Sequence, residues 1–171
     1  MVLKEPDTSL DHKEPGNWTI SSVVGGSPGK DEIKYTYDLW KESMFTFEQI
    51  QDQLISGKSS DPDKDGFSNL LEYAFGGRAL VKDDNLSPSA KIIIKEGAEF
   101  LAIEYQQRLG ANDIIYVIEH STDLSTWESV DRLGLEQIFD NGDGTISYSY
   151  RILNIDDLGK QSYLRVKVVG R

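Results

Sequence analysis

The spacing of apolar residues changes once along this chain, near residue 90. Between Tyr37 and Ile55 they recur at helical intervals: Leu39, Trp40 and Met44 first, then Phe47, Ile50, Leu54 and Ile55 after a break at Phe45-Thr46. That pattern predicts a helix in two pieces. Thr46, with Gln49 three residues on, has the form of a capping box for the second piece. A further short helix is expected over 69–75, with Leu70, Leu71, Ala74 and Phe75 as its apolar positions and Gly76-Gly77 as its stop. Beyond residue 90 the period falls to two. Strands are expected at 91–95, 99–107, 114–121, 127–130, 136–139, 145–152 and 162–169, with turns at 96–97, 110–112, 140–144 and 156–159. Many short strands between regular turn signals predict an antiparallel sandwich. The expected fold is mainly β: an immunoglobulin-like antiparallel β-sandwich preceded by a small helical segment.

Residues 1–31 are of a different kind. They hold Pro6, Pro15, Pro28 and the run Gly25-Gly26-Ser27-Pro28-Gly29, with one alternating stretch at 17–24 that suits a strand. A lone strand cannot bury its own apolar face. It must pair with the main body or be the last strand of a preceding domain. The chain therefore divides into a tail or final strand (1–31), a helix, loop and helix segment (35–80) and a sandwich (90–171), with a polar connector over 79–90.

The helices enclose the most informative stretch, Asp61-Pro-Asp63-Lys-Asp65-Gly66-Phe67-Ser68-Asn69-Leu-Leu-Glu72. Carboxylates fall at loop positions 1, 3, 5 and 12, an amide at 9, and glycine at 6, where the backbone must turn sharply. This is the spacing of an EF-hand-like calcium loop. A hard cation needs several oxygen ligands, and alternate short acids converge to give them. Asp61, Asp63, Asp65 and Glu72 would bind through carboxylates, Phe67 through its backbone carbonyl, and Asn69 directly or through water. Asp and Gly also favour plain turns, but a turn does not require Asn69 and Glu72 at their spacings. Ser68 stands where paired EF-hands carry an aliphatic residue, and no twin loop is visible, so a solitary loop of the dockerin or thrombospondin type 3 kind is expected.

Composition narrows the partners. The 171 residues carry a net charge of -11, with 38% hydrophobic and 27% charged residues. Such a balance disfavours nucleic acid and anionic membrane surfaces. Cysteine is absent, which removes disulfides, a thiol nucleophile and Cys-ligated metal centres. No stretch approaches the ~20 apolar residues of a membrane span, so membrane insertion is not expected, and the first residues do not read as a signal peptide.

Two resemblances follow from the residues. Leu3, Pro6-Asp7, Leu10-Asp11, Pro15, Asn17-Trp18, Ser21-Ser22 and Gly25 to Gly29 resemble the closing strand and exit of a bacterial lamin tail domain, an immunoglobulin-like sandwich. The stretch from Asp61 to Gly76, then Tyr116 to Trp127, Asn141-Gly-Asp-Gly-Thr145 and Tyr163 to Val168 resemble a C-terminal module of large exported proteins of Verrucomicrobia and related phyla. That resemblance covers about residues 35 to 171. It implies a thrombospondin type 3-like calcium loop joined to a β-sandwich at the end of a secreted or cell-surface protein, without known catalytic activity. Lys64 and Phe67 stand where the pattern often has Gly and Leu. The partners implied are neighbouring domains of a larger parent, with a polysaccharide or cell-surface component as a further one.

Other chemistry is weaker. Glu119-His120-Ser121-Thr-Asp123 holds the residue types of a hydrolase triad, but neighbours in a strand point to opposite faces. Asp140 and Asp143 suit either a second cation site or a tight hairpin, and Asn-Gly with Asp-Gly favours the hairpin. Asp83 and Asp84 are possible additional acids, with nothing to fix their distance from the loop. Trp40 and Trp127 are expected in the core rather than on a sugar-stacking platform. The expected function is a non-catalytic calcium-binding structural module, with a carbohydrate-binding module and a terminal sorting or anchoring domain as alternatives.

Overall fold

The computed structural model describes residues 2–3, 18–19, 35–153 and 161–171. Within the first 31 residues, β1 (Val2–Leu3) pairs antiparallel with β2 (Trp18–Thr19). The remainder of the expected 17–24 strand, most of the lamin tail resemblance and the turn at 156–159 lie outside the described residues.

Helix α1 (Tyr37–Met44) begins where the Thr36 side chain accepts from the Leu39 N–H. Its inward residue Trp40 is fully buried, as expected. The second helical piece divides into α2 (Phe47–Gln51), opened by the reciprocal Thr46 and Gln49 capping box, and α3 (Gln53–Ser56). The cause is Asp52, whose backbone is extended and whose side chain accepts from the Leu54 N–H, starting a new turn. This break disrupts the predicted stripe. Phe47 and Leu54 are 75% and 86% exposed, while Ile50 and Ile55 pack against the core. Helix α4 (Asn69–Phe75) has the expected bounds and ends at Gly76, with φ of 89°. A side chain there would also collide with the strand that starts at Thr145, since a Cβ would lie 2.3 Å from Thr145 Cγ2.

The sheets form the antiparallel sandwich. One has the order β3 (Ser89–Lys95), β4 (Ala98–Arg108), β8 (Thr145–Ile152) and β7 (Leu133–Asp140); the other runs β6 (Glu128–Ser129), β5 (Ile114–Ser121) and β9 (Tyr163–Gly170). Alternation assigns the faces. Leu101, Ile103 and Tyr105 of β4 point inward in register with Ile92 and Ala90 on one side and Tyr150 and Tyr148 on the other. Ile114 and Ile118 of β5, with Val166 of β9, close the core from the second sheet. Ile92 and Ala90, on the edge strand, stay exposed; each of the buried side chains contributes roughly 1.5–3 kcal/mol of transfer free energy.

Strand β7 is longer than its pattern predicts because a bulge at Glu136 interrupts the alternation between Leu135 and Gln137. Glu136 pairs with Lys95 at 2.8 Å and Arg151 at 2.9 Å on the outward face. Strand β6 is shorter than expected. Trp127 is half-buried rather than in the core: its ring lies on the outward side of the second sheet under the Arg165 guanidinium, 4.1 Å from its centroid.

The helical segment and the sandwich share one core. Tyr37, Trp40, Tyr73 and Phe75 are contiguous with Tyr105, Ile114 and Val166. Polar ties lock the junction. Asp113 accepts from the Tyr37 N–H at 2.9 Å and the Tyr73 hydroxyl at 2.5 Å, and Arg108 donates to the Tyr73 and Gly77 carbonyls. Gln106 and the Tyr116 hydroxyl donate to the last carbonyls of α4, at Phe75 and Ala74.

Candidate metal centre

The loop between α3 and α4 is closed at its base by two backbone hydrogen bonds. Asn69 and Leu70 donate their N–H groups to the Ser60 and Lys58 carbonyls at 2.8 and 3.0 Å. The acids then organise the backbone between. Asp61 accepts from the Asp65 and Gly66 N–H groups, Asp63 from Asp65, and Asp65 from Phe67. These short local bonds are what Asp offers a turn. Gly66 has φ of 98°, as the sharp turn at position 6 demands, and Lys64 is also left-handed at 60°. The resembling pattern often carries glycine where Lys64 stands, and that backbone favours glycine.

This wrapping converges Asp61, Asp63 and Asp65, each half-buried, so that one oxygen from each lies within 4.8 Å of the others. The Phe67 ring packs against the core. Asn69 is fully buried, and its Nδ2 donates to the Ile55 and Gly57 carbonyls at 2.7 and 2.8 Å, tying the end of α3 to the start of α4. Its Oδ1 is buried without a hydrogen-bond partner among the described residues.

Glu72 is not among the acids brought within 4.8 Å of one another, but it feels the charge of all three. It is 0% exposed, and neither carboxylate oxygen has a hydrogen-bond partner among the described residues. Burial pushes its pKa up to about 8, and the neighbouring charges of Asp63, Asp65, Asp83 and Asp61 add to the shift. Asp63 is raised as well, first by desolvation and then by Asp65, and its Oδ2 is buried and unpaired. Three carboxylates thus converge, a fourth is buried within reach of their charge, and that buried one is without a cation among the described residues. An uncompensated buried carboxylate is costly. A divalent ion with oxygen ligands is the chemistry that such a set accommodates.

The connector contributes a brace that sequence spacing could not locate. The Asp83 N–H donates to Asp65 Oδ2 at 2.9 Å, while its carboxylate accepts from the Arg78 backbone and guanidinium at 2.8 and 3.2 Å. Lys82 reaches the Lys64 carbonyl at 3.3 Å. Nothing in the residue pattern around 78–83 announces this clasp.

The remaining candidates have other employment. Asp123 accepts from the Ser121 hydroxyl and from the Ser125 and Thr126 N–H groups, which hold its pKa down at about 2. Glu119 is paired with Arg165. His120 lies in register with Leu164 and Ser121 with Tyr163, on opposite faces of the sheet. Asp140 accepts from the Gly142 N–H and Asp143 from Thr145, within the tight connection of β7 to β8. No family model matches the chain, and no curated protein or solved structure matches it.

Proposed function

We propose that this chain is a non-catalytic, calcium-binding structural module of a larger secreted or cell-surface protein. The observation that carries the reading is Glu72, wholly buried, with two oxygens unpaired among the described residues and within reach of the charge of three convergent aspartates. Asp61, Asp63, Asp65 and Glu72 would hold the ion through carboxylates, Phe67 through its carbonyl, and Asn69 directly or through water. The ion's part is architectural. It neutralises the clustered acids and fixes how α3 enters α4, and α4 is the helix docked on the sandwich through Arg108, Gln106 and Tyr116. Neighbouring domains of the parent chain are the partners this role implies, and the resemblance over residues 35 to 171 supports placing the module at a C-terminus.

Calorimetric titration tests this directly. One calcium per chain is expected to bind with a dissociation constant on the order of 10⁻⁴ to 10⁻³ M, the range of extracellular modules. At a hundredfold excess over that constant, calcium should add about 2.7 kcal/mol to stability. Equal melting temperatures in calcium and in chelator would overturn the reading.

A further inference from the structure

The outward face of the four-stranded sheet is not uniformly charged. Toward the β3–β4 turn it carries ion pairs, Lys95 and Arg151 with Glu136, and Arg151 stacks 4.5 Å over the Phe100 ring. Toward the helical end it changes to hydroxyls and amides. The register lines up Ser89, Glu104, Ser149 and Gln137 as one row crossing all four strands, and Gln106, Ser147 and Phe139 as the next. The bulge at Glu136 makes these rows possible, because it resets the alternation so that Gln137 and Phe139 turn outward. With the connector at 85–87 as a wall, the rows floor a groove of about 340 Å³.

The chemistry of the groove selects an occupant. Its described lining holds no Lys, Arg or His, and the Lys91 ammonium at its border is taken up by Glu104, so it offers no unpaired cation among the described residues to an anionic ligand. Glu104 is compensated by Lys91 at 2.5 Å, so its second oxygen remains an acceptor. Gln106 uses its amide N–H on Phe75 and keeps its carbonyl. The Gln137, Ser89 and Ser149 side chains have no hydrogen bond to any described residue, and Phe139 is 58% exposed at the open edge. Rows of hydroxyls and amides with one charge-compensated carboxylate, beside an exposed aromatic ring, match a neutral polyhydroxyl chain, whose hydroxyls bond to the polar rows while a C–H face lies on the ring. Strands about 4.8 Å apart present these groups at close, regular steps.

We propose that this groove binds a neutral oligosaccharide, lying across the strands on the two rows and ending on Phe139. The site uses none of the proposed calcium ligands, although its connector wall is clasped to the loop two residues earlier, at Asp83, so calcium is kept saturating throughout and failure of sugar binding there leaves the calcium reading standing. The test uses the full chain in calcium with cellohexaose, xylohexaose and mannohexaose, and with polygalacturonate as an anionic control, followed by amide chemical shifts. Saturable shifts with at least one neutral sugar, centred on residues 104–106, 137–139 and 147–149, are expected. Gln137→Ala and Phe139→Ala, both at exposed or half-exposed positions, should each weaken binding about tenfold, equivalent to about 1.4 kcal/mol, with melting temperatures unchanged. Silence toward all three neutral sugars, equal binding of polygalacturonate, or full binding by both variants would overturn the proposal.

Discussion

Glu72 and Glu119 are both hidden from solvent, at 0% and 6% exposure, yet they meet opposite surroundings. Glu119 lies on the second sheet, where the cross-strand partner Arg165 places Nε and a terminal nitrogen each 2.6 Å from Oε2, and Lys167 approaches Oε1 at 3.5 Å. The Arg165 hydrogen bond holds its carboxyl below the usual range. Glu72 feels the charge of four aspartates and has no partner for either oxygen among the described residues, and burial drives its pKa up. The sandwich brings its own cation to its buried acid. The loop leaves its acid to be neutralised from solution, by a proton or by a metal ion, and that makes its order conditional.

Removing the Glu72 charge should break this contrast most strongly. Glu72→Gln is expected to lose most of the ~2.7 kcal/mol that saturating calcium adds to the wild type, and to be no less stable than wild type in chelator above pH 8. Paired melting curves in calcium and in chelator measure both. A variant that keeps the full calcium response would remove Glu72 from the ligand set. Asp63→Ala should also lose the response, through the ring of three.

The pH dependence should separate the same two acids. The folded pKa of Glu72 is raised, so its favourable contribution in chelator is complete below about pH 4.5 and is lost as pH rises through about 8. Metal-free protein should therefore lose melting temperature over that window, and Glu72→Gln should flatten the slope. Glu119 has a lowered folded pKa, so its contribution is present above the ordinary carboxylate value and is lost as pH falls through the depressed one. That acid arm is read in chelator, because with calcium present the protonation of the ligand carboxylates adds a second loss on the acid side. A flat alkaline arm in chelator would undo the assignment.

What the residue pattern revealed follows from how local each signal is. Strands β5 and β8 were legible to the residue, because one buried face imposes a period of two and their ends carry turn residues. Strand β7 was read short because the bulge at Glu136 breaks that period. The apolar residues of α2 and α3 suggested one buried stripe, but Phe47 and Leu54 face solvent because Asp52 restarts the helix. The convergence of Asp61, Asp63 and Asp65 was readable since all three lie within five residues. The Asp83 brace, the Asp113 and Arg108 ties and the Arg165 cover on Trp127 join residues distant in sequence, and periodicity carries no trace of them.

Within the sandwich, Arg165→Met should cost about 1–2 kcal/mol, less than the 3–5 kcal/mol of a fully buried broken pair, because the Arg165 side chain is 44% exposed. Chemical denaturation at neutral pH measures this, and Glu119→Gln in the same background should recover most of the loss. A loss that Glu119→Gln leaves unrecovered would assign the cost to the stacking on Trp127 instead.

The smallest effect belongs to Lys167. Its ammonium stands 3.5 Å from Glu119 Oε1 and its side chain is 52% exposed, so it acts through water-screened attraction and must restrict a flexible stem to do so. Exposed pairs of this kind contribute about 0.2–1 kcal/mol. Lys167→Met is expected at the low end, a few tenths, and to shrink further in about 1 M salt, where the screening length falls to about 3 Å. Arg165 offers planar nitrogens at 2.6 Å, sits over Trp127 and keeps most of its effect in the same salt. Were Lys167→Met as damaging as Arg165→Met, Glu119 would be held by a diffuse positive surface rather than by one fixed cation, and the contrast with Glu72 would reduce to net charge.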